Sequence, residues 1–294
     1  RSAIIACNQA EKRRGRRDRA VVGNKTIPTS EVVDVQVDDS LQWWECAVSL
    51  LRRMKEEGHY PDVQTYSSAI SACESVGQWQ RALGLLKVMT AKPSEGEVPL
   101  DPNLFCFNAA ISACEKGGAW LEALELYERI KYSHKEIKPN FITINSLLIS
   151  LDRAGQKELA ESIYKEALRD GVFSPWRKRF TPNGKRIRAM DLHQFSAPMA
   201  RIAVRVAMES LLSQRPQHDA MVDLVIIVGK GKQSESGDAV LMPEVWALME
   251  EMGVKSSVSE TNTGRIIVET KHLRSYIGRM SWRGDRTPPN EPLT

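Results

Sequence analysis

The spacing of hydrophobic and polar positions changes once along the chain. Up to about residue 175 apolar residues recur with a helical period. Tyr66, Ala69, Ile70 and Cys73 fall at i, i+3, i+4 and i+7, as do Phe107, Ala110, Ile111 and Cys114. Trp79, Ala82, Leu83 and Leu86 repeat that spacing a short distance on. Gly77 and Gly118 mark tight turns between paired helices, and Pro61, Pro102 and Pro139 close each pair because proline cannot continue into a helix interior. From Ile187 the pattern becomes that of strands alternating with helices. IRAMDL (187–192) reads as a strand, and SAPMARIAVRVAMESLL (196–212) as a helix with Ser196 as cap and Pro198 in its first turn. DLVIIV (223–228) is an apolar strand covered on both faces, MPEVWALMEEMG (242–253) a second helix, and SSVSE (256–260) and GRIIVET (264–270) two strands joined around TNTG. The expected fold is an all-α helical-hairpin solenoid followed by a small two-layer α/β domain, ordered β-α-β-α-β-β.

The helical half is internally repeated. YSSAISACESVGQWQRALGLL (66–86) aligns with FNAAISACEKGGAWLEALELY (107–127) at an offset of 41, and INSLLISLDRAGQKELAESIY (144–164) follows after a further 37. A broken copy lies at the N-terminus, where SAIIAC (2–7) is separated by an insertion from QWWECAVSLL (42–51). Self-similarity at this period is the signature of a helical solenoid. The expected boundaries are a partial repeat with a basic insertion over 1–62, repeats over 63–175, a basic linker over 176–186, the α/β domain over 187–277 and a tail over 278–294.

Charge adds a second layer. The net +4 of the 294 residues hides an uneven distribution: +5 over 1–19, −6 over 20–175, +6 over 176–188 and −1 over 189–294. EKRRGRRDR (11–19) and WRKRFTPNGKRIR (176–188) are therefore suited to phosphate, and equally to a solvated tether. No run of eighteen apolar residues occurs, so no membrane span is expected. The five cysteines lack paired metal spacing and lie within the first 114 residues, as small reduced core residues of a thiol-keeping compartment. Arg1 opens the chain, so further repeats and any targeting peptide are expected upstream of it.

Candidate chemistry sits at the end of the first strand of the second half. Period-two alternation places Asp191 and His193 on one face, with Leu192 on the other. A right-handed crossover brings the C-terminal end of that strand beside Gly229, Lys230, Gly231 and Lys232, which follow the second strand. Glycine-turn amides and a helix N-terminus there suit a phosphate. A structural Asp–His pair that caps a turn is the plainer alternative.

The repeat, with its aromatic–small-polar start, A-I-S-A-C-E run, glycine turn, A-L-x-L second helix and terminal Pro-Asp or Pro-Asn, resembles the pentatricopeptide repeat over roughly residues 1–176. The resemblance implies one single-stranded RNA base per repeat, read by two side chains: Ser67 with Asn103, Asn108 with Asn140, and Asn145 with Trp176. The first pair resembles an adenine reader and the second a pyrimidine reader. Helix N-capping by Ser67, Asn108 and Asn145 is the alternative role. The second half, with M-D-L-H (190–193) and V-G-K-G (228–231), resembles the small MutS-related (Smr) domain over about 187–277; Gln194 and Val228 stand where that family has other residues. This implies a chain acting in RNA processing in chloroplasts or mitochondria, alongside other organellar RNA-processing factors. It is expected to be a metal-dependent endonuclease or a non-catalytic factor for RNA stability, maturation or translation. In the nuclease reading His193 moves a proton, Asp191 orients it or holds Mg2+, and Lys230, Lys232 and the Gly229 and Gly231 amides stabilise charge. Arg177, Lys178, Arg179, Lys185, Arg186 and Arg188 would carry the strand from reader to cutter.

Overall fold

The computed structural model describes residues 43–91, 99–133, 136–180, 186–214, 222–229 and 240–284. The chain forms two compact units, Arg1–Ala154 and Gly155–Thr294.

The first unit consists, among its described residues, of helices α1 (Trp43–Glu56), α2 (Val63–Ser75), α3 (Trp79–Thr90), α4 (Leu104–Gly117), α5 (Trp120–Ser133) and α6 (Phe141–Arg153). The first helices of successive repeats, α2, α4 and α6, pack in sequence, and each second helix packs on its own partner and on the first helix of the next repeat. The stripe read from the sequence is the core: Tyr66, Ala69, Ile70, Cys73, Phe107, Ala110, Ile111 and Cys114 are all buried. Cys46, Cys73, Cys106 and Cys114 are free thiols, and all but Cys46 are buried. Gly77 and Gly118 make their turns at φ +69° and +75°, in the left-handed region that favours glycine.

The N-cap directly follows the closing proline, and the helix begins one residue later. Asp62, Asn103 and Asn140 cap α2, α4 and α6 by accepting hydrogen bonds from the backbone N–H of Thr65, Cys106 and Thr143 at 2.8, 3.1 and 3.1 Å. Ser67, Asn108 and Asn145 therefore stand inside the helices, and the capping role considered for them belongs to other residues.

The second unit begins earlier in the chain than the sequence pattern indicates. Helix α7 (Lys157–Arg169), the second helix of the third repeat, packs on α8 (Ala197–Gln214). Lys165 bonds Glu209 at 2.9 Å, and Tyr164, Phe173 and Phe195 form a chain of ring contacts at 5.2 and 5.7 Å. The remaining elements are β1 (Trp176–Phe180), β2 (Arg186–Asp191), β3 (Leu224–Ile227), α9 (Leu241–Glu251), β4 (Ser257–Ser259), β5 (Asn262–Val268) and α10 (Thr270–Gly284). They form one sheet of order β1-β2-β3-β5-β4 in which β2 and β3 are parallel and the other pairs antiparallel. The region is α/β with a small sheet, and the parallel β2-α8-β3 crossover is the one expected.

Two expectations are corrected. Within the basic tract assigned to a linker, Trp176–Phe180 form an edge strand and Arg186 begins β2: β1 pairs with β2 from Trp176 opposite Met190 to Phe180 opposite Arg186. A sheet edge tolerates exposed charge, so WRKRF lacks the apolar run of a central strand. The tail assigned from residue 278 is, through Gly284, part of α10, whose first turn is capped from elsewhere in the chain. Asp223 Oδ1 accepts from Thr270 N–H at 2.9 Å and from its hydroxyl at 2.7 Å.

Among the described residues no helix is long and apolar enough to cross a membrane.

Candidate nucleic-acid interface and strand-end site

In the helical unit the structure joins one of the expected base-reading pairs. Asn108, in the second turn of α4, donates from Nδ2 to Asn140 Oδ1 at 3.2 Å. Thr143, fully buried, donates its hydroxyl to Asn108 Oδ1 at 2.6 Å. Ser67 turns back into its own helix, donating to the Gln64 carbonyl at 2.9 Å, and Asn103 is occupied as the cap of α4. Asn145 lies in α6 of the first unit and Trp176 in β1 of the second.

Between repeats, Glu74 accepts from Ser112 at 3.0 Å and pairs with Lys116 at 3.4 Å, and one repeat on Glu115 pairs with Arg153 at 2.7 Å. Gly117 lets the Trp79 ring lie against the turn, since a Cβ there would fall 2.2 Å from Trp79 Cδ1.

In the α/β unit, Asp191 ends β2 and its backbone N–H donates to the Pro175 carbonyl at 2.7 Å; the Leu192 N–H then donates to Ile227 at 2.8 Å. These two bonds hold the strand end on both sides. His193 Nδ1 donates to Asp191 Oδ1 at 2.5 Å. The Asp191 side chain is 11% exposed and that of His193 49%, so the carboxylate is the sheltered partner and the imidazole faces solvent. Arg177 on β1 lies 3.8 Å from Asp191 Oδ2. Partial burial pushes the Asp191 carboxyl up. The hydrogen bond and charge of His193, with Arg177 behind them, outweigh that and hold it below the usual carboxylate range.

Gly229 follows β3 at φ +81°, and a Cβ placed on it would meet His193 Cβ at 3.5 Å. The glycine turn and the Asp–His pair thus meet at the C-terminal edge of the two parallel strands. Lys230, Gly231, Lys232 and Lys185 lie outside the described residues, as do the side chains of Lys178, Arg179 and Arg186. Arg188 packs its guanidinium over the Trp176 ring at 5.5 Å.

Sequence reasoning passed over Arg265. Asp191 pairs with Ile227 and Ile227 with Arg265, so these three residues form one cross-strand row and share a face. Arg265 Nε is buried without a hydrogen-bond partner. Its signal was a lone charge in the otherwise apolar GRIIV.

Asp191 does not by itself fit a divalent cation. Oδ1 is bonded to His193 and Oδ2 faces Arg177, and no cluster of three carboxylate, imidazole or thiol groups occurs among the described residues.

Comparison with known proteins defines a class for the first unit. Residues 49–116 match the family described as pentatricopeptide repeat domain, and residues 105–134 match the PPR repeat. Residues 49–134 thus match pentatricopeptide-repeat models, and the described helices of the first unit pair as a helical repeat. Among solved structures, the pentatricopeptide repeat protein PPR10 from maize aligns with 81% of the chain at 16% identity and a TM-score of 0.44, over 29% of its own length. PPR10 in complex with an 18-nt psaJ RNA element aligns with 83% of the chain at 15% identity and 0.39, over 26% of that chain. The PPR domain of Arabidopsis thaliana protein-only RNase P 1, in complex with tRNA, aligns with 80% of the chain at 12% identity and 0.41, over 90% of that domain. The chain thus spans less than a third of PPR10. Comparison with the curated proteins gives no match.

Proposed function

We propose that the chain binds single-stranded RNA through its pentatricopeptide repeats and cleaves it at the Asp191–His193 site. The observation that carries the cleavage is the sheltered carboxylate holding an exposed imidazole beside a glycine turn. An ionised Asp191 only accepts hydrogen bonds, so the His193 Nδ1 that faces it carries the proton. Nε2 is then left as a base toward solvent. It takes the proton of an RNA 2′-hydroxyl, that oxygen attacks the adjacent phosphorus, and the 5′-oxygen departs with a proton from water. The products are a 2′,3′-cyclic phosphate and a 5′-hydroxyl. The Gly229 backbone, with Lys230, Gly231 and Lys232 after it, supplies donors for the phosphate oxygens, and Arg265 supplies a cation on the Asp191 face. No step passes through a metal. Basic side chains around β1, Arg177 and Arg188 among the described residues, approach the phosphate backbone.

The test is labelled single-stranded RNA incubated with the purified chain, with Mg2+ and with EDTA. Cleavage persists in EDTA and stops with a 2′-deoxy sugar at the cut site. Asp191→Ala and His193→Ala lose about 100- to 10,000-fold in cleavage rate while RNA affinity is kept. Salt-dependent binding with no cleavage by the wild-type chain would sink the nuclease reading and leave a factor for RNA stability, maturation or translation. The organellar address and organellar RNA-processing partners are proposed from the family resemblance, and imaging of a tagged full-length protein in plant cells checks them.

A further inference from the structure

We propose that Thr143 is a positioning residue that sets which edge of the Asn108 amide faces a bound base; this rests on the RNA-reading role of the repeats. The argument starts from two backbone N–H groups, whose direction cannot reverse. The Thr143 N–H, in the first turn of α6, can only donate, so the Asn140 side-chain atom 3.1 Å away is the carbonyl oxygen. That oxygen also lies 3.2 Å from an Asn108 side-chain atom, which must therefore be Nδ2, since the flipped amide would set two oxygens against each other. The other end of the Asn108 amide, Oδ1, then lies 2.6 Å from the Thr143 hydroxyl. The Asn140 N–H donates to that hydroxyl at 3.1 Å, which leaves its single proton for an acceptor. Asn140 Oδ1 is also within 3.0 Å of the hydroxyl but already receives two donors, so the proton goes to Asn108 Oδ1.

The Asn108 amide is held at both ends and keeps one N–H and one lone pair for a ligand. Without the Thr143 hydroxyl it is held only through Nδ2 and rotates. The other repeats bound this role. Thr65, at the same helix position, gives its hydroxyl to its own cap Asp62 at 2.6 Å. Cys106 occupies the position in α4, where the cap forms with a thiol in place of the hydroxyl.

The experiment uses the full chain carrying His193→Ala, so that bound RNA stays intact, and sequences what it retains from a randomised single-stranded RNA pool. Asn108→Ala identifies the position this repeat reads. Thr143→Val and Thr143→Cys are expected to reduce the preference at that position about fivefold, the worth of one hydrogen bond, while other positions hold. Thr143→Ser retains it, and Thr65→Val leaves that position unchanged. Thr143→Cys keeps a side chain that α4 shows to be compatible with the cap, which guards against a Thr143→Val chain that does not fold. Unchanged preference in both variants, or an equal loss at every position, overturns the proposal while RNA reading stands. A parent with no positional preference overturns the RNA-reading role itself.

Discussion

A carboxylate held low and a thiol held high give this chain two titrations of opposite sense. Asp191 is depressed on folding, so its pairing with His193 and Arg177 contributes stability above the unfolded carboxyl value of about 3.9 and loses it as pH falls through the folded value. The stability difference between wild type and Asp191→Asn is therefore expected to shrink as pH falls below about 5, as read by urea melts across pH. Burial pushes the Cys114 thiol up to about 12 and that of Cys106 in the same direction, so both stay protonated at neutral pH. Iodoacetamide is expected to label Cys46, which is partly exposed, before Cys73, Cys106 or Cys114. The order follows from mass spectrometry of timed samples. The proximity of Asp191, His193 and Gly229 was legible from the parallel crossover, although β2 ends at Asp191 and it is the turn after it that brings His193 back onto the carboxylate. What the sequence could not show was their partnering: Thr143 reads as an ordinary cap-box residue until the fold sets it against Asn108 from the preceding repeat.

Helices and strands carry the next level of evidence. Two adjacent glycines end α4 for different reasons. Gly118 has φ +75° and open space around it, so Gly118→Ala costs the roughly 1–2 kcal/mol of a left-handed L-residue. Gly117 has no such backbone demand, yet a Cβ there meets the Trp79 ring at 2.2 Å and the Gly77 carbonyl at 2.8 Å, so Gly117→Ala costs about 1–3 kcal/mol through overpacking. Combining each with Trp79→Ala in equilibrium melts separates the two, because only the Gly117→Ala penalty falls when the ring is removed. Repeat helices were readable because their core stripe is local and periodic. Strand β1 and helix α10 were not, since their stability comes from partners distant in sequence: an edge pairing with β2, and a cap donated by Asp223 to Thr270.

For each unit taken whole, the boundary matters more than the count of elements. The change of period near residue 187 places α7 with the repeats, whereas its contacts with α8 and the Tyr164–Phe173–Phe195 rings place it in the α/β unit. A fragment of residues 155–294 is expected to melt cooperatively and higher than one of 187–294. The shorter fragment lacks the Tyr164 and Phe173 rings that pack toward Phe195, and strand β1 that flanks the Asp191 backbone. Circular dichroism melts of the two compare them directly.

The pairing of Glu74 with Lys116 and of Glu115 with Arg153 runs in one direction, an acid near the end of one repeat's first helix meeting a base near the end of the next repeat's first helix. Such a junction is head-to-tail, and helix α4 carries both halves of it, Lys116 toward the repeat before and Glu115 toward the repeat after. A duplicated copy of this repeat, its first helix carrying Glu115-Lys116 and spliced in whole, would meet complementary charge both before and behind it. The array is thereby open to lengthening by recombination without first acquiring compensating substitutions.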